Sequence, residues 1–391
     1  MGESGTITEM LELLGKSREE LRRECEAMGE PAYRGGQIYR ALYAERNLDP
    51  ARMTNLPLAF REKLARTARV TLPAVKHKYL SEDGSVRYLF AMEGGDAAGE
   101  DREKPGARGL RRPASVEAVF MPSEGRRTIC ISTQAGCAVD CQFCLTAQLG
   151  LVRNLTAGEI LAQVLLPLAE AETSKKKKGA APSARSGDPV QTNVVLMGQG
   201  EPLLNFDQMM TAVRILLDRE GVGLSAKHVT LSTSGIVPGI EKLAAEPVRP
   251  KLAISLNASS DTERDRLMPI NKKYPLAKLM EACRNYPLRN WEHLTFEYVM
   301  LGGVNDTADD ARRVVRLLSP LKRVKVNLIP WNPGALPFLE SSPSSIEQFR
   351  NILADRGIPA FVRYSRGRDV MAACGQLALQ EVRDNPLAVI A

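Results

Sequence analysis

The chain has 391 residues, 44% of them hydrophobic and 25% charged, with a net charge of +7. This is the composition of a folded globular protein, long enough for a main domain and a smaller accessory one. It contains no run of 18 apolar residues for a membrane helix and no basic-then-apolar secretory signal at its N-terminus, and its positive balance favours a polyanionic partner.

In chain order, residues 1–72 are expected to form a helical module. "SREELRRECEAMG" opens with Ser17 and carries Glu20 three residues on, the pattern of a capping box. "RGGQIYRALYAE" and "LAFREKLARTARV" continue the helical periodicity. Residues 73–122 read as a strand-rich extension. Its strands alternate and turn at Asp83-Gly84, and a further turn at Glu124-Gly125 leads into the next region. A polar, Gly- and Pro-rich insertion over 94–115 is expected to be disordered.

From 123 to 369 short apolar strands alternate with amphipathic helices. "TICIST", "NVVLMG", "HVTLST", "KLAISL", "TFEYVML" and "VKVNLIPW" are the strands. Six βα units predict an α/β fold with a parallel sheet, open or curled into a partial barrel, whose chemistry gathers at the C-terminal strand ends. The polar stretch 173–191 reads as an exposed, disordered loop, in which Lys175–Lys178 could touch phosphates or simply be solvated. Residues 370–391 form a C-terminal segment.

Seven cysteines in a long chain without an export signal read as thiols, metal ligands or catalytic groups rather than a disulfide framework. Cys137, Cys141 and Cys144 are spaced C-x3-C-x2-C. A buried helix face would also place residues at i, i+4 and i+7, but Gly136 and Asp140 make this run loop-like. Structural zinc takes four N or S ligands, and none of the three histidines lies near the triplet. Three cysteines suit an iron–sulfur cluster with one iron left open for a small molecule.

The triplet has the spacing of radical S-adenosylmethionine (SAM) enzymes. The chain as a whole resembles the RlmN family of radical SAM RNA methyltransferases, from about residue 17 to about 380. The resemblance rests on "GEPAYRGGQIYRALY", "MTNLP", "VEAVFMP", "CISTQAGCAVDCQFC", "MGQGEPLLN", "VTLSTSGIVPGI", "PINKKYPL", "EYVMLGGVND", "NLIPWNP" and "AACGQL", in that order.

The resemblance implies a radical SAM partial (βα)6 barrel with an RNA-binding N-terminal domain. It implies a [4Fe–4S] cluster held by Cys137, Cys141 and Cys144, and two SAM per turnover. Adenosine C2 would be methylated in 23S rRNA and possibly tRNA. Cys374 in "AACGQL" matches the cysteine that carries the methyl group, Cys130 in "TICIST" the one that resolves the RNA adduct, and Glu117 in "VEAVF" the proton acceptor. SAM would be held by Gly200, Glu201, Ser232, Ser255, Leu256, Asn257 and Asn332. A flavodoxin or ferredoxin donor, a cytoplasmic setting and a monomer are expected. The chain departs from the family's usual residues at Gln199, where Met is common, and at Asn257, where His is common. A related C8 methyltransferase (Cfr-like) and a zinc-stabilised RNA-binding protein without catalysis are the alternatives.

Overall fold

The computed structural model describes residues 10–92, 114–177, 190–377 and 389–390. The chain begins with β1 (Leu11–Glu12), α1 (Arg18–Ala27), α2 (Tyr33–Tyr43), α3 (Leu58–Thr67) and β2 (Ala68–Arg69). The capping box forms: the Ser17 side chain accepts from the Glu20 amide, and Glu20 accepts from the Ser17 amide at 2.7 Å. β3 (Ala74–Leu80), β4 (Val86–Met92), β5 (Ala114–Ser123) and β6 (Arg126–Ile131) then run antiparallel, with turns at Gly84 and Gly125 in the left-handed region.

β7 (Gln134–Gly136), α4 (Leu145–Gln148) and β8 (Leu151–Asn154) follow, and after them the βα alternation: α5 (Ala157–Lys177), β9 (Gln191–Leu196), α6 (Phe206–Leu217), β10 (Val229–Thr233) and α7 (Val237–Ala244). It continues through β11 (Lys251–Ser255), α8 (Asp261–Leu267), α9 (Leu276–Asn285), β12 (Leu294–Met300), α10 (Ala308–Leu318), β13 (Val324–Pro330), α11 (Pro343–Ala354) and β14 (Ala360–Val362), and β15 (Val389–Ile390) closes the list of strands.

Eleven strands form one sheet in the order β14-β13-β12-β11-β10-β9-β6-β5-β4-β3-β15. The six expected strands β6, β9, β10, β11, β12 and β13 are adjacent and parallel, and β14 adds a seventh. The sheet stays open at β14 and β15. Ile129, Val194, Leu231, Leu252, Ile254, Phe296, Val326 and Leu328 are fully buried. Strands covered on both faces need such apolar runs.

Two compact units divide the described residues. One takes its described residues from 1–72, 156–183 and 207–224, and the other takes the remaining described residues. The N-terminal unit therefore takes in α5 and most of α6, which the sequence assigned to the core. Within it, Tyr39 donates to Asp218 at 2.9 Å, Arg46 pairs with Glu172 at 2.5 Å, and Arg18 pairs with Glu220. Three expected boundaries move. Residues 114–115 belong to β5, α5 runs on to Lys177 where a loop was expected from 173, and β9 opens at Gln191, inside the expected loop. Residues 94–113 and 178–189, including Lys178, lie outside the described residues.

A Cβ on Gly35 would lie 2.4 Å from the Arg22 amide nitrogen of α1, whereas one on Gly36 would meet only the Arg18 guanidinium, at 3.4 Å or more. Gly35→Ala should therefore destabilise the N-terminal unit by about 1–3 kcal/mol through overpacking. Gly36→Ala should be neutral or mildly stabilising, because alanine favours helix. Urea unfolding with hydrogen exchange over 18–43 separates the two outcomes.

Candidate active site

The cysteine triplet sits in the loop between β7 and α4. A small antiparallel hairpin, β7 with β8, brings the two ends of this region together. Gly136 has φ +74°, and a Cβ there would fall 1.7 Å from the Gly150 carbonyl oxygen. That same oxygen accepts from the Cys137 amide at 3.1 Å, so the first cysteine is set by the tightest backbone approach in the hairpin. Asp140, between the first two cysteines, has φ +60°, and Cys144 forms the N-cap of α4.

All three cysteines are partly exposed and line one cavity of about 1050 Å³, part of it open to solvent. Burial pushes the free thiols up, Cys137 to about 12 and Cys141 well above the usual thiol range. Binding iron through them would release protons. Among the described residues, no three His, Cys, Asp or Glu side chains converge on a point where a single metal ion would sit.

The same cavity is lined by Gly200, Glu201, Ser232, Ser255, Asn257 and Asn332, all at or just beyond the C-terminal ends of the parallel strands. Gly200 has φ +96°, and a Cβ there would lie 2.5 Å from the Gln134 side chain. Glu201 is fully held. Its Oε1 accepts from the Leu203 amide at 3.1 Å, and its Oε2 from the Ser234 amide and hydroxyl at 2.7 and 2.8 Å. Asn257 adopts φ +53°, which asparagine tolerates. Its Oδ1 accepts from the Val299 amide at 2.8 Å, and its side-chain nitrogen donates to the Met268 sulfur at 3.4 Å. Asn332 donates to Ser365 at 2.9 Å. Leu256 is buried and does not line the cavity. Its amide bonds to Glu297 and its carbonyl to Arg264.

Cys374 reaches this cavity from the far end of the chain. The Leu145 amide donates to the Gly375 carbonyl at 2.8 Å, and the Thr146 hydroxyl donates to the Leu377 carbonyl at 2.6 Å. Cys374 is exposed and lines the cavity. The thiol is pushed up to about 12, by desolvation first and then by the Glu297 charge. Cys130 does not line the cavity. It packs on β6 among Tyr79, Leu89, Val119, Val370, Ala372 and Leu377, close enough for Cys374 to push its thiol further up after burial. Glu117 shares its sheet face, two residues from Val119, the partner of Cys130. It is completely buried, paired with the equally buried Arg87, and accepts from Gln199 at 3.3 Å. It too lies outside the cavity lining.

Residues 11–70 match the model for the ribosomal RNA large subunit methyltransferase N-terminal domain, and residues 183–318 match that for the radical SAM superfamily. A probable dual-specificity RNA methyltransferase RlmN of Koribacter versatilis is 48% identical over 91% of this chain and 99% of its own length. The chain belongs to the RlmN family. A dual-specificity RNA methyltransferase RlmN of Anaeromyxobacter dehalogenans is 41% identical, over 93% of this chain and 90% of its own. The crystal structure of a radical SAM methyltransferase from Sphaerobacter thermophilus superposes with TM-score 0.81 at 40% identity, covering 94% and 99% of the two chains. As a member of the RlmN family the chain has the radical SAM fold and is a methyltransferase that uses a [4Fe–4S] cluster and SAM. A cavity that gathers three thiols with carboxylates and strand-end hydroxyls has the donor set these two groups require.

Two residues of the site escaped the sequence reading. Glu297, inside "TFEYVML", is a buried carboxylate on the cavity wall. Arg264, on α8, is fully buried and donates to the carbonyls of Leu256, Ser234 and Ser255 and to Asn271, bracing the wall from behind. Strand alternation and helix composition give no signal that separates either from an ordinary residue.

Gly136→Ala should spoil the seating of Cys137, so purified protein should hold well under half the wild-type iron and sulfide. Gly150→Ala, whose Cβ meets nothing within 4 Å, should cost about 1–2 kcal/mol of backbone strain at φ +64° and keep its iron. Equal iron in both variants would show that the hairpin does not position the triplet.

Proposed function

We propose that this chain methylates C2 of adenosine in RNA, with 23S rRNA as substrate and tRNA as a second one. The observation that carries the reading is the placement of Cys374 on the same cavity as Cys137, Cys141 and Cys144, with Cys130 packed behind it. The printed names of the curated relatives, dual-specificity RNA methyltransferases, support RNA as the substrate class.

In this reading Cys137, Cys141 and Cys144 hold the cluster. Gly200 and Glu201, Ser232, Ser255, Asn257 and Asn332 surround SAM, and Leu256 backs them from the core. Cluster and SAM together supply a transferable methyl group and, on one-electron reduction, a 5′-deoxyadenosyl radical. Adenine C2 is electron-poor and cannot attack a methyl group directly, so the Cys374 sulfur takes the methyl first. That methyl would give a hydrogen atom to the radical and add to C2, and loss of one electron back to the cluster and of the C2 proton would leave Cys374 joined to C2 through a methylene bridge. Cys130 then attacks the Cys374 sulfur and closes a disulfide, and the electron pair of the broken sulfur–carbon bond stays with the carbon, which takes up a proton to become the product methyl. The resemblance assigns Glu117 as proton acceptor. Its carboxylate is bound by Arg87 and Gln199 away from the cavity, so a proton from C2 reaches it through an intermediary such as the Cys130 sulfur.

The disulfide must be reduced each turnover, which fits a reducing cytoplasm. A flavodoxin- or ferredoxin-type protein is the electron donor in this reading, and the enzyme works as a monomer. No helix among the described residues is long and apolar enough to cross a membrane. A C8 methyltransferase would use the same cysteines; the match of 11–70 to the large-subunit methyltransferase N-terminal domain favours C2.

Cys130→Ala should keep its cluster and its methylated Cys374 but accumulate protein joined to RNA, stable to denaturation. Cys374→Ala should give no protein methyl, no adduct and no product, and the double variant should match it. Turnover by Cys130→Ala would remove Cys130 from the mechanism. Nucleoside mass spectrometry of RNA from cells with and without the gene should show loss of 2-methyladenosine; loss of the 8-methyl isomer instead would establish C8 chemistry.

A further inference from the structure

The cavity has a charge imbalance. Among the described residues its lining holds two carboxylates, Glu201 and Glu297, and no Lys, Arg or His. Glu201 is satisfied on both oxygens by amides and a hydroxyl. Glu297 is not so served. Its Oε2 accepts from the Ser232 hydroxyl at 2.6 Å, and no cation pairs with it among the described residues. Ser232 and Ser255 stand 3.2 Å apart. Because Ser232 spends its one proton on Glu297, Ser255 is the donor between them, and both hydroxyls point along a relay ending at the carboxylate. Burial pushes the Glu297 carboxyl up, with the Ser232 bond working against it. A buried carboxyl held by a single hydroxyl either keeps its proton or is ionised beside a positive partner, so a cation arriving in the cavity would stabilise the carboxylate.

SAM brings one. Its sulfonium carries a fixed positive charge, and for methyl transfer the sulfonium methyl must face the Cys374 sulfur. Cys374 lines the same cavity as Glu297 and feels its charge. Once the methyl has gone to Cys374, the remaining S-adenosylhomocysteine is a neutral thioether at that position. A reaction that consumes two SAM per turnover has to exchange this spent molecule for a fresh one.

We propose that Glu297 is a charge-selecting residue of the SAM site, whose carboxylate faces the sulfonium and favours SAM over S-adenosylhomocysteine, so that the spent cofactor leaves after the first methyl transfer. This rests on the two-SAM reading above. The residue acts on binding and exchange, and the relay from Ser255 through Ser232 orients it.

The test is binding to iron-loaded, unreduced enzyme in the Cys374→Ala background, where no methyl acceptor is present. Dissociation constants for SAM and S-adenosylhomocysteine are measured by calorimetry, with the cluster absorbance as a second readout. The parent should bind SAM more tightly. Glu297→Gln should lower that preference at least ten-fold, because a charge pair about 12 Å apart at an effective dielectric of about 20 already gives that ratio and a closer pair gives more, with S-adenosylhomocysteine affinity almost unchanged. Glu297→Asp, which keeps the charge, should retain most of the preference. A parent that shows no preference overturns the proposal, whatever the variants do. So does an unchanged preference in Glu297→Gln. Failure of the iron-loaded parent to bind SAM at all would instead overturn the SAM site itself, and the role of Glu297 with it.

Discussion

The hydrogen bond from the Leu145 amide to the Gly375 carbonyl is the contact on which the site depends. The first amides of a helix have no partner within it. At α4 the N-cap is Cys144, whose side chain makes no capping bond. A carbonyl from the far end of the chain fills that role, and the Thr146 hydroxyl adds a second bond to Leu377. Each such bond contributes only about 1 kcal/mol net, but together they set where Cys374 stands relative to Cys144. On the other side the C-terminal segment is tied to the β3–β4 hairpin, where Asp369 accepts from Ser81 at 2.5 Å and Asp83 accepts from the Gly367 amide at 3.0 Å. A segment with two left-handed positions, at Gly367 and Met371, flanking a single 3-10 turn over Arg368–Val370 is thereby fixed.

Buried charge is distributed unevenly around this centre. Arg264 and Arg87 are both fully buried, yet both lie behind the cavity wall. Arg264 spends its guanidinium on the carbonyls of Ser234, Ser255 and Leu256, which closes the ends of β10 and β11 over the cavity. Arg87 neutralises Glu117 and stacks over the Tyr79 ring at 4.2 Å. Removing one partner of a buried pair leaves an uncompensated charge and costs about 3–5 kcal/mol, so Arg87 holds architecture through Glu117, as Arg264 does through its carbonyl bonds. The cavity itself keeps a negative lining, which suits thiolate-bound iron less than it suits a cationic cofactor. Neutral hydroxyls and backbone amides supply the remaining polarity.

Local pattern carried far into the fold. All six parallel strands were legible because strands covered on both faces need continuous apolar runs, and the helices between them because their apolar stripes recur at the helical period. The Ser17–Glu20 capping box and the turns at Gly84 and Gly125 were legible for the same reason: each is decided by residues a few positions apart. The edge strand β14 was missed, because three residues give too little alternation to stand out. The cysteine triplet declared itself through spacing, and the family through many motifs in one order.

What the sequence by itself determined is therefore the βα alternation, the thiol triplet and the family. What only the tertiary structure decided is which residues share a cavity. Nothing in "TFEYVML" tells an inward Glu297 from any alternating strand residue, and nothing near Leu256 tells that its side chain turns into the core. The close approach of Gly136 to Gly150, the union of α5 and α6 with the N-terminal helices, and the meeting of residues 130 and 374 belong to the same class. Secondary structure is set by interactions over a few bonds along the chain, and so it is written in short spacings. Juxtaposition is set by packing between distant segments, where any compatible shape and charge will serve, and the linear order of residues does not record it.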